Sequence, residues 1–465
     1  MRNSSHKRSR AAGEHGSGLL PIGSDPRVKL PFLANLDHHT SEIVRGASAA
    51  LIVRVAGAGI SFALNVLIAR LYGADGAGVY FLALTVMTIA TVFGRMGMDN
   101  TLLRFVAAHA ASGEWGEVEG VHRKGMRIAW TASLVSTAVM AAGAPFLARY
   151  AFHKSELTGA MAWMALAVLP VAIGALYGQV LRALKRVWAS MMVSAVWIPA
   201  LAIVGLWFFG SRGGPVVAIQ VYDVAAALTA LGAWAWWRRI TPELRGVRGD
   251  FDRATLLRSS VPLLWVASMT MAMNWIATFA LGAWSTVADV GVFNAASRVS
   301  FLVGFVLIAV DNISAPKFAA LYKAGEQDGL ARTARHTVRL MLLLAAPALA
   351  VIVLAPTRIM SLFGVEFQRG GLVLVILALA QLANVMAGSV GSLLMMTGHE
   401  KQVRDSNTLA AVICLLMSAA LVPRTAALGA ALAVAAALVA RNVYEVLMVR
   451  RYLGIGALLF SPSAR

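Results

Sequence analysis

This 465-residue sequence predicts an all-α polytopic membrane protein, with about twelve transmembrane helices in two parallel six-helix bundles. Three observations carry that expectation. Hydrophobic residues make up 59% of the chain and charged residues 14%, against about 45–50% and about 25% in soluble domains. Twelve apolar windows recur along it, each long enough to cross a hydrocarbon core of about 30 Å at ~1.5 Å of rise per residue. Third, the 41 Lys and Arg alternate in abundance between successive connections. The side of the N-terminus receives 31, the opposite side only Arg70, Arg149, Lys154, Arg212, Arg358, Arg369 and Arg424. Cations are retained on the cytoplasmic face, so both termini are expected there.

The elements follow in order. Residues 1–45 carry Ser, Gly, Pro and mixed charge without an apolar run, and read as a disordered cytoplasmic tail with no signal peptide. A first bundle over 46–240 holds windows 49–69, 77–97, 127–147, 157–179, 189–209 and 215–237. Residues 241–259 form a basic cytoplasmic linker. A second bundle over 260–450 holds windows 260–282, 291–311, 337–355, 370–393, 404–422 and 426–446, and 451–465 is a cytoplasmic tail. After the second window, Leu102, Leu103, Phe105 and Val106 share the apolar side of an interfacial helix. Asp99 and its counterpart Asp311 are expected to cap helices that start there. Pro170, Pro199 and Pro347 fall inside windows and predict kinks. Trp188, Trp207, Trp236, Trp237 and Trp284 fall at window ends, as an interfacial belt requires; Trp197, Trp265 and Trp275 lie deeper.

The chain repeats itself at a spacing of roughly 212 residues. Gly78-Val79-Tyr80 answers Gly291-Val292-Phe293, and Asp99-Asn100 answers Asp311-Asn312. Arg104-Phe105 answers Lys317-Phe318, Gly113-Glu114 answers Gly325-Glu326, and Pro145 answers Pro356. Six windows per copy is an even number, so both copies enter the membrane in the same direction, about an axis along its normal.

Composition also excludes functions. The net charge of +19 lies in short segments flanking apolar windows, where it sets topology and meets anionic lipid, so no nucleic-acid partner is expected. Cys414 is the only cysteine, which rules out an intrachain disulfide. The nine histidines avoid the window interiors and form no metal-binding motif, so neither metal nor cofactor is expected.

Residues 69–83 read Ala-Arg-Leu-Tyr-Gly-Ala-Asp-Gly-Ala-Gly-Val-Tyr-Phe-Leu-Ala. This resembles the A-R-x-x-G-x-x-x-x-G-x-Y segment between the first two spans of Wzx-type polysaccharide flippases. Their superfamily includes MATE transporters and the lipid II flippase. Gly94 to Phe105, Gly178 to Arg186, and Gly291-Val292-Phe293-Asn294-Ala295-Ala296 are similar to further segments of that family. The resemblance implies export of undecaprenyl-pyrophosphate-linked oligosaccharide repeat units across the bacterial inner membrane, for O-antigen or exopolysaccharide assembly. It also implies a polysaccharide polymerase and a chain-length regulator as partners, besides membrane lipid.

Apart from Arg95, Arg127, Asp311, Arg339, Arg404 and Asp405, which belong to the connections they border, the ionised residues inside windows are Arg54, Asp223, Arg298, Arg441 and Glu445. A central charge costs about 2.5–3.5 kcal/mol on insertion scales, so each is expected to face the protein or water. Arg298 and Arg54 are the candidate substrate-binding cations, because a guanidinium binds phosphate oxygens bidentately and stays charged. Asp223 is the candidate for ion coupling, or a buried partner of Arg298. Arg441 and Glu445, one turn apart, are expected to pair. A MATE-like drug/cation antiporter is the competing reading and would favour acidic cavity residues. A glycan ligase or polymerase would need a substantial outer loop, and the outer connections here are short, so no enzyme is expected.

Overall fold

A computed structural model describes residues 38–455 except 245 and 248. Fifteen helices make up these residues, with no strand among them. The first half contains α1 (His38–Arg95), α2 (Met98–Ala111), α3 (Trp115–Phe146), α4 (Leu157–Ala165) and α5 (Val168–Ala183). It continues with α6 (Val187–Met191), α7 (Trp197–Phe209) and α8 (Pro215–Ile240). The second half contains α9 (Arg253–Trp284), α10 (Val287–Lys323), α11 (Gln327–Leu354) and α12 (Pro356–Met360). It ends with α13 (Gly371–Ala387), α14 (Val390–Met396) and α15 (Glu400–Leu453).

Nine helical segments among the described residues are apolar and long enough to cross a membrane. Two of them, Val53–Arg95 and Glu400–Leu453, contain 43 and 54 residues. At ~1.5 Å per residue these are about 65 and 81 Å long, roughly twice what one crossing needs. Each breaks once. The first breaks at Gly73 (φ 66°, ψ −171°) and the second at Ala426 (φ 50°, ψ −127°). The second folds back on itself, since Ser406 Oγ donates to Glu445 Oε1 at 2.8 Å across the two limbs. With α9 carrying window 260–282, each of the twelve windows is largely helical, and window 370–393 breaks at Gly388–Ser389 between α13 and α14.

Several boundaries differ from expectation. α1 already starts at His38, inside the segment expected to lack structure; once a long apolar helix exists, each added residue gains a hydrogen bond at little cost. Residues 1–37 of that tail, and 456–465 at the other end, lie outside the described residues. The linker ends at Asp252 rather than 259, because Asp252 caps α9 by accepting the N–H groups of Ala254 (3.1 Å) and Thr255 (2.8 Å). Hydrogen bonds from Thr255 hold its carboxyl below the usual carboxylate range.

Asp99 does not cap α2; Gly97, with φ 70°, stands at that position. Asp99 lies in the first turn and binds Arg95 at 2.7 Å. Asp311 starts no helix at all, for α10 continues through it, and it accepts from Ser392 Oγ at 2.9 Å. The two halves therefore differ here: one helix breaks at Met96–Gly97, its counterpart does not. They agree at the next turn. Gly113 and Gly325 both have φ 74°, the N–H of Glu114 reaches His109 O at 2.9 Å, and that of Glu326 reaches Leu321 O at 3.1 Å.

Pro170 and Pro199 lie inside the helical segments Leu157–Ala183 and Val187–Arg212, each just after an interruption: a turn at 166–167 and a π-helical turn, respectively. A π-helical turn, Met192–Val196, precedes α7. Pro347 lies within the continuous α11. Trp188, Trp207 and Trp284 are exposed, as the belt requires, but Trp237 is buried and stacks near His122. Leu102 and Val106 of α2 bury into the cluster formed with α3 and α5.

Candidate functional site

A cavity of about 670 Å³ lies between the first limb of α1 and the helices of the second half. α1 contributes Ser61, Phe62 and Asn65; α9 contributes Trp275 and Thr278. α10 supplies the longest wall, from Phe293 to Ile308, including Arg298, and α13 adds Gln381 and Asn384. Both limbs of α15 take part, through Cys414 on one and Arg441 on the other. Amides here bond within their own helices: Asn65 Nδ2 donates to Ser61 O and Asn294 Nδ2 to Val290 O at 2.9 Å. Among the described residues, Arg298 and Arg441 are the only charged groups in the lining.

The two guanidiniums are held differently. Arg441 Nε binds the buried Glu445 at 3.0 Å, one turn along the same helix, the pairing the spacing predicts. Arg298 forms no ion pair or hydrogen bond among the described residues, and its Nε is buried without a partner. Its guanidinium lies 5.0 Å from the centroid of the Phe81 ring, an attraction that holds the cation without neutralising it. Phe81 lies edge-on to Tyr80, and Tyr80 edge-on to Tyr222, the neighbour of Asp223.

Asp223 does not line the cavity. Both carboxylate oxygens are buried without a hydrogen-bond partner. Arg54 does not line the cavity either: it is exposed on α1, one turn before the lining residue Ala58. Sequence position could not give the face of the helix that Arg54 occupies. Arg441, expected as half of a pair, also lines the cavity, because a guanidinium bound at Nε keeps its other nitrogens for it.

Near the Gly73 turn the cavity is closed. From Ile68 to Tyr80, α1 fills the space with buried residues, among them Ala69, Ala74 and Ala77. Backbone meets backbone there. A Cβ on Gly78 would overlap the Val287 carbonyl, and one on Gly291 would overlap the Ala74 carbonyl. Arg70 Nε donates to Leu362 O at 2.7 Å, and the N–H of Ala74 donates to Glu366 Oε2 at 2.7 Å. Lys154 Nζ donates to Gly282 O at 2.6 Å, and Arg369 reaches Asp289 at 3.5 Å. Burial pushes the Lys154 ammonium below the usual lysine range, with Glu156 partly offsetting it. Of the three deeper tryptophans, Trp275 lines the cavity, Trp197 stacks on Trp236 and Trp265 is exposed.

A family profile described as "Polysaccharide biosynthesis protein" matches residues 43–321, more than half of the chain. No curated protein matches the sequence. Among solved structures, an inward-facing multidrug resistance MATE family transporter of the MOP superfamily superposes with a TM-score of 0.72 at 13% identity, over 88% of this chain and 98% of that one. The lipid II flippase MurJ in an inward closed conformation gives 0.69 at 13% identity, over 88% and 87%. An outward-facing MATE family transporter gives 0.60 at 15% identity, over 91% and 97%.

Proposed function

The chain belongs to the polysaccharide biosynthesis protein family, and from that premise we propose that it is a flippase for undecaprenyl-pyrophosphate-linked oligosaccharide repeat units. One observation carries the reading. The cavity between the halves has two guanidiniums and no carboxylate in its lining among the described residues. Such a lining suits an anionic cargo, and a pyrophosphate brings at least two negative charges that must leave the head-group region. The same observation disfavours a MATE-like cation antiporter, whose cargo two arginines would repel, and a glycan ligase or polymerase, which needs reacting groups in its pocket.

Arg298 is the residue that binds the phosphates. Among the described residues it has no ion pair or hydrogen bond, so cargo oxygens can accept from it without breaking an existing pair. Arg441, fixed by Glu445, is the second contact. Asp223 is the coupling group: a buried carboxylate without a partner is costly as an ion, and a proton or cation relieves that cost. Arg54, outside the cavity, receives cargo or lipid phosphate at the cytoplasmic head-group level. The closure near Gly73 supports a state open toward the cytoplasm, one stage of alternating access. The inner membrane location, the cytoplasmic termini, and a polymerase with its chain-length regulator as partners belong to the same proposal.

The test is repeat-unit translocation, normalised to protein level, by the wild type, Arg298→Ala, Asp223→Asn and the double variant. Arg298→Ala should abolish export at normal membrane abundance, and Arg298→Lys should restore part, since an ammonium lacks the planar fork. Full transport by the double neutral variant would end the assignment of Arg298 to cargo.

A further inference from the structure

A second concavity, of about 510 Å³, runs along the outside of the first half between α7 and α8. Leu201, Val204 and Phe208 form one wall; Val221, Val224 and Leu228 form the other. Gly205 makes the floor, where a Cβ would stand 2.6 Å from Val221 Cγ1. Val204, Phe208, Val224 and Leu228 are all exposed. On helices of this composition such side chains face hydrocarbon, so what fills the groove is an apolar chain.

The end of the groove near the 212–214 turn is cationic. Arg212 lines it, is exposed, and makes no ion pair or hydrogen bond among the described residues; its guanidinium lies 5.8 Å from the Phe209 ring. α8 starts at Pro215, so the positive end of its dipole adds to the same field. From Val217 to Leu228 the groove is about 17 Å long at ~1.5 Å per residue, against roughly 15 Å for half of a hydrocarbon core. A charge at the head-group level followed by one leaflet's depth of apolar groove has the dimensions of a lipid.

We propose that the α7–α8 groove binds an anionic phospholipid, with its phosphate on Arg212 and one acyl chain laid over Gly205. The occupant is a bilayer lipid rather than the cargo, because no residue lines both this groove and the central cavity. The Tyr80–Tyr222 layer lies between them. A headgroup of net negative charge is favoured over a zwitterionic one, whose own ammonium competes for the phosphate.

Native mass spectrometry of the full chain, released from nanodiscs of equal phosphatidylglycerol and phosphatidylcholine, reads the site directly. Wild-type protein should retain phosphatidylglycerol preferentially. Arg212→Gln should lower that retention about tenfold, the effect of losing one charge-assisted contact, and Arg212→Lys should lower it less. Val224→Trp should fill the groove from an exposed position and displace lipid of either kind. Equal retention of the two lipids, or unchanged phosphatidylglycerol in both Arg212→Gln and Val224→Trp, would overturn the proposal. So would displacement of phosphatidylglycerol by polyprenyl phosphate added at equal concentration. None of these outcomes depends on what the central cavity carries.

Discussion

Replacing Glu366 by alanine loosens the closure near Gly73 without touching the cavity. The lost interaction is the bond from the Ala74 N–H to Glu366 Oε2, 2.7 Å long. A hydrogen bond to a charged group contributes about 1.5–3 kcal/mol. Glu366 is exposed, so screening brings the expected effect to about 1 kcal/mol, roughly a fivefold shift toward the open arrangement. Gly73→Ala is the harsher variant. Its φ of 66° and ψ of −171° fall in a region essentially confined to glycine, at a strain of about 1–3 kcal/mol for other residues. The added Cβ would also stand 2.9 Å from Glu366 Oε2. Strain that persists when the turn separates cancels between the two states, so Glu366→Ala gives the cleaner number.

The assay is cysteine labelling in intact cells. Ser61→Cys in a Cys414→Ala background places one thiol in the cavity, beyond the closure from the outside. An impermeant maleimide added outside should label it slowly in the parent, about fivefold faster with Glu366→Ala, and faster again with Lys154→Met added. Labelling that does not change in either variant, with the protein still folded and abundant, would refute the claim that these contacts hold that end shut.

Other predictions concern topology, helix crossing and the buried pair. Arg245→Cys should label only after permeabilisation, and labelling from outside would reverse the assigned orientation. Gly78→Ala and Gly291→Ala should each block assembly of the halves, because either Cβ overlaps a carbonyl; detergent-stable protein of normal abundance would argue against the crossing. Arg441→Ala leaves Glu445, 1% exposed, as an uncompensated buried charge and should destabilise by about 3–5 kcal/mol. Arg441→Met with Glu445→Leu should recover thermal stability yet not transport. Recovery of both would make the pair structural only.

What the sequence made readable follows from the physics of each feature. A span is written locally, in twenty or so consecutive apolar residues, and each of the twelve windows is largely helical. The Arg441–Glu445 pair is local too, being one turn apart. A glycine-centred turn such as Gly113-Glu114 has a short-range cause and appears in both halves. Facing is different. Arg54 and Arg298 both look like intramembrane cations in one dimension, yet only Arg298 lines the cavity, because that depends on which neighbours each helix meets. Whether a helix stops is also a matter of one residue's backbone: Gly97 breaks the chain before α2, whereas α10 has no such residue ahead of Asp311 and continues. The partners of Arg70 and Glu366 lie 292 residues away, beyond any local pattern.

The 212-residue spacing nonetheless organises those distant contacts. Shifted by that amount, Lys154 becomes Glu366, while Ala74 falls at 286, four residues past the Gly282 that Lys154 binds. These two side chains at equivalent positions each join one half to a backbone group of the other, with opposite polarity: an ammonium donates to a carbonyl, a carboxylate accepts from an N–H. Gly78 and Gly291, counterparts themselves, meet each other; a Cβ on Gly291 would stand 3.1 Å from Gly78 N. Equivalent residues touch only where they lie close to the axis relating their copies. A closure built on that axis can part symmetrically while its helices stay intact. Small residues at the crossing and short polar contacts around it are what such a motion requires, because an interlocked apolar core there would resist separation.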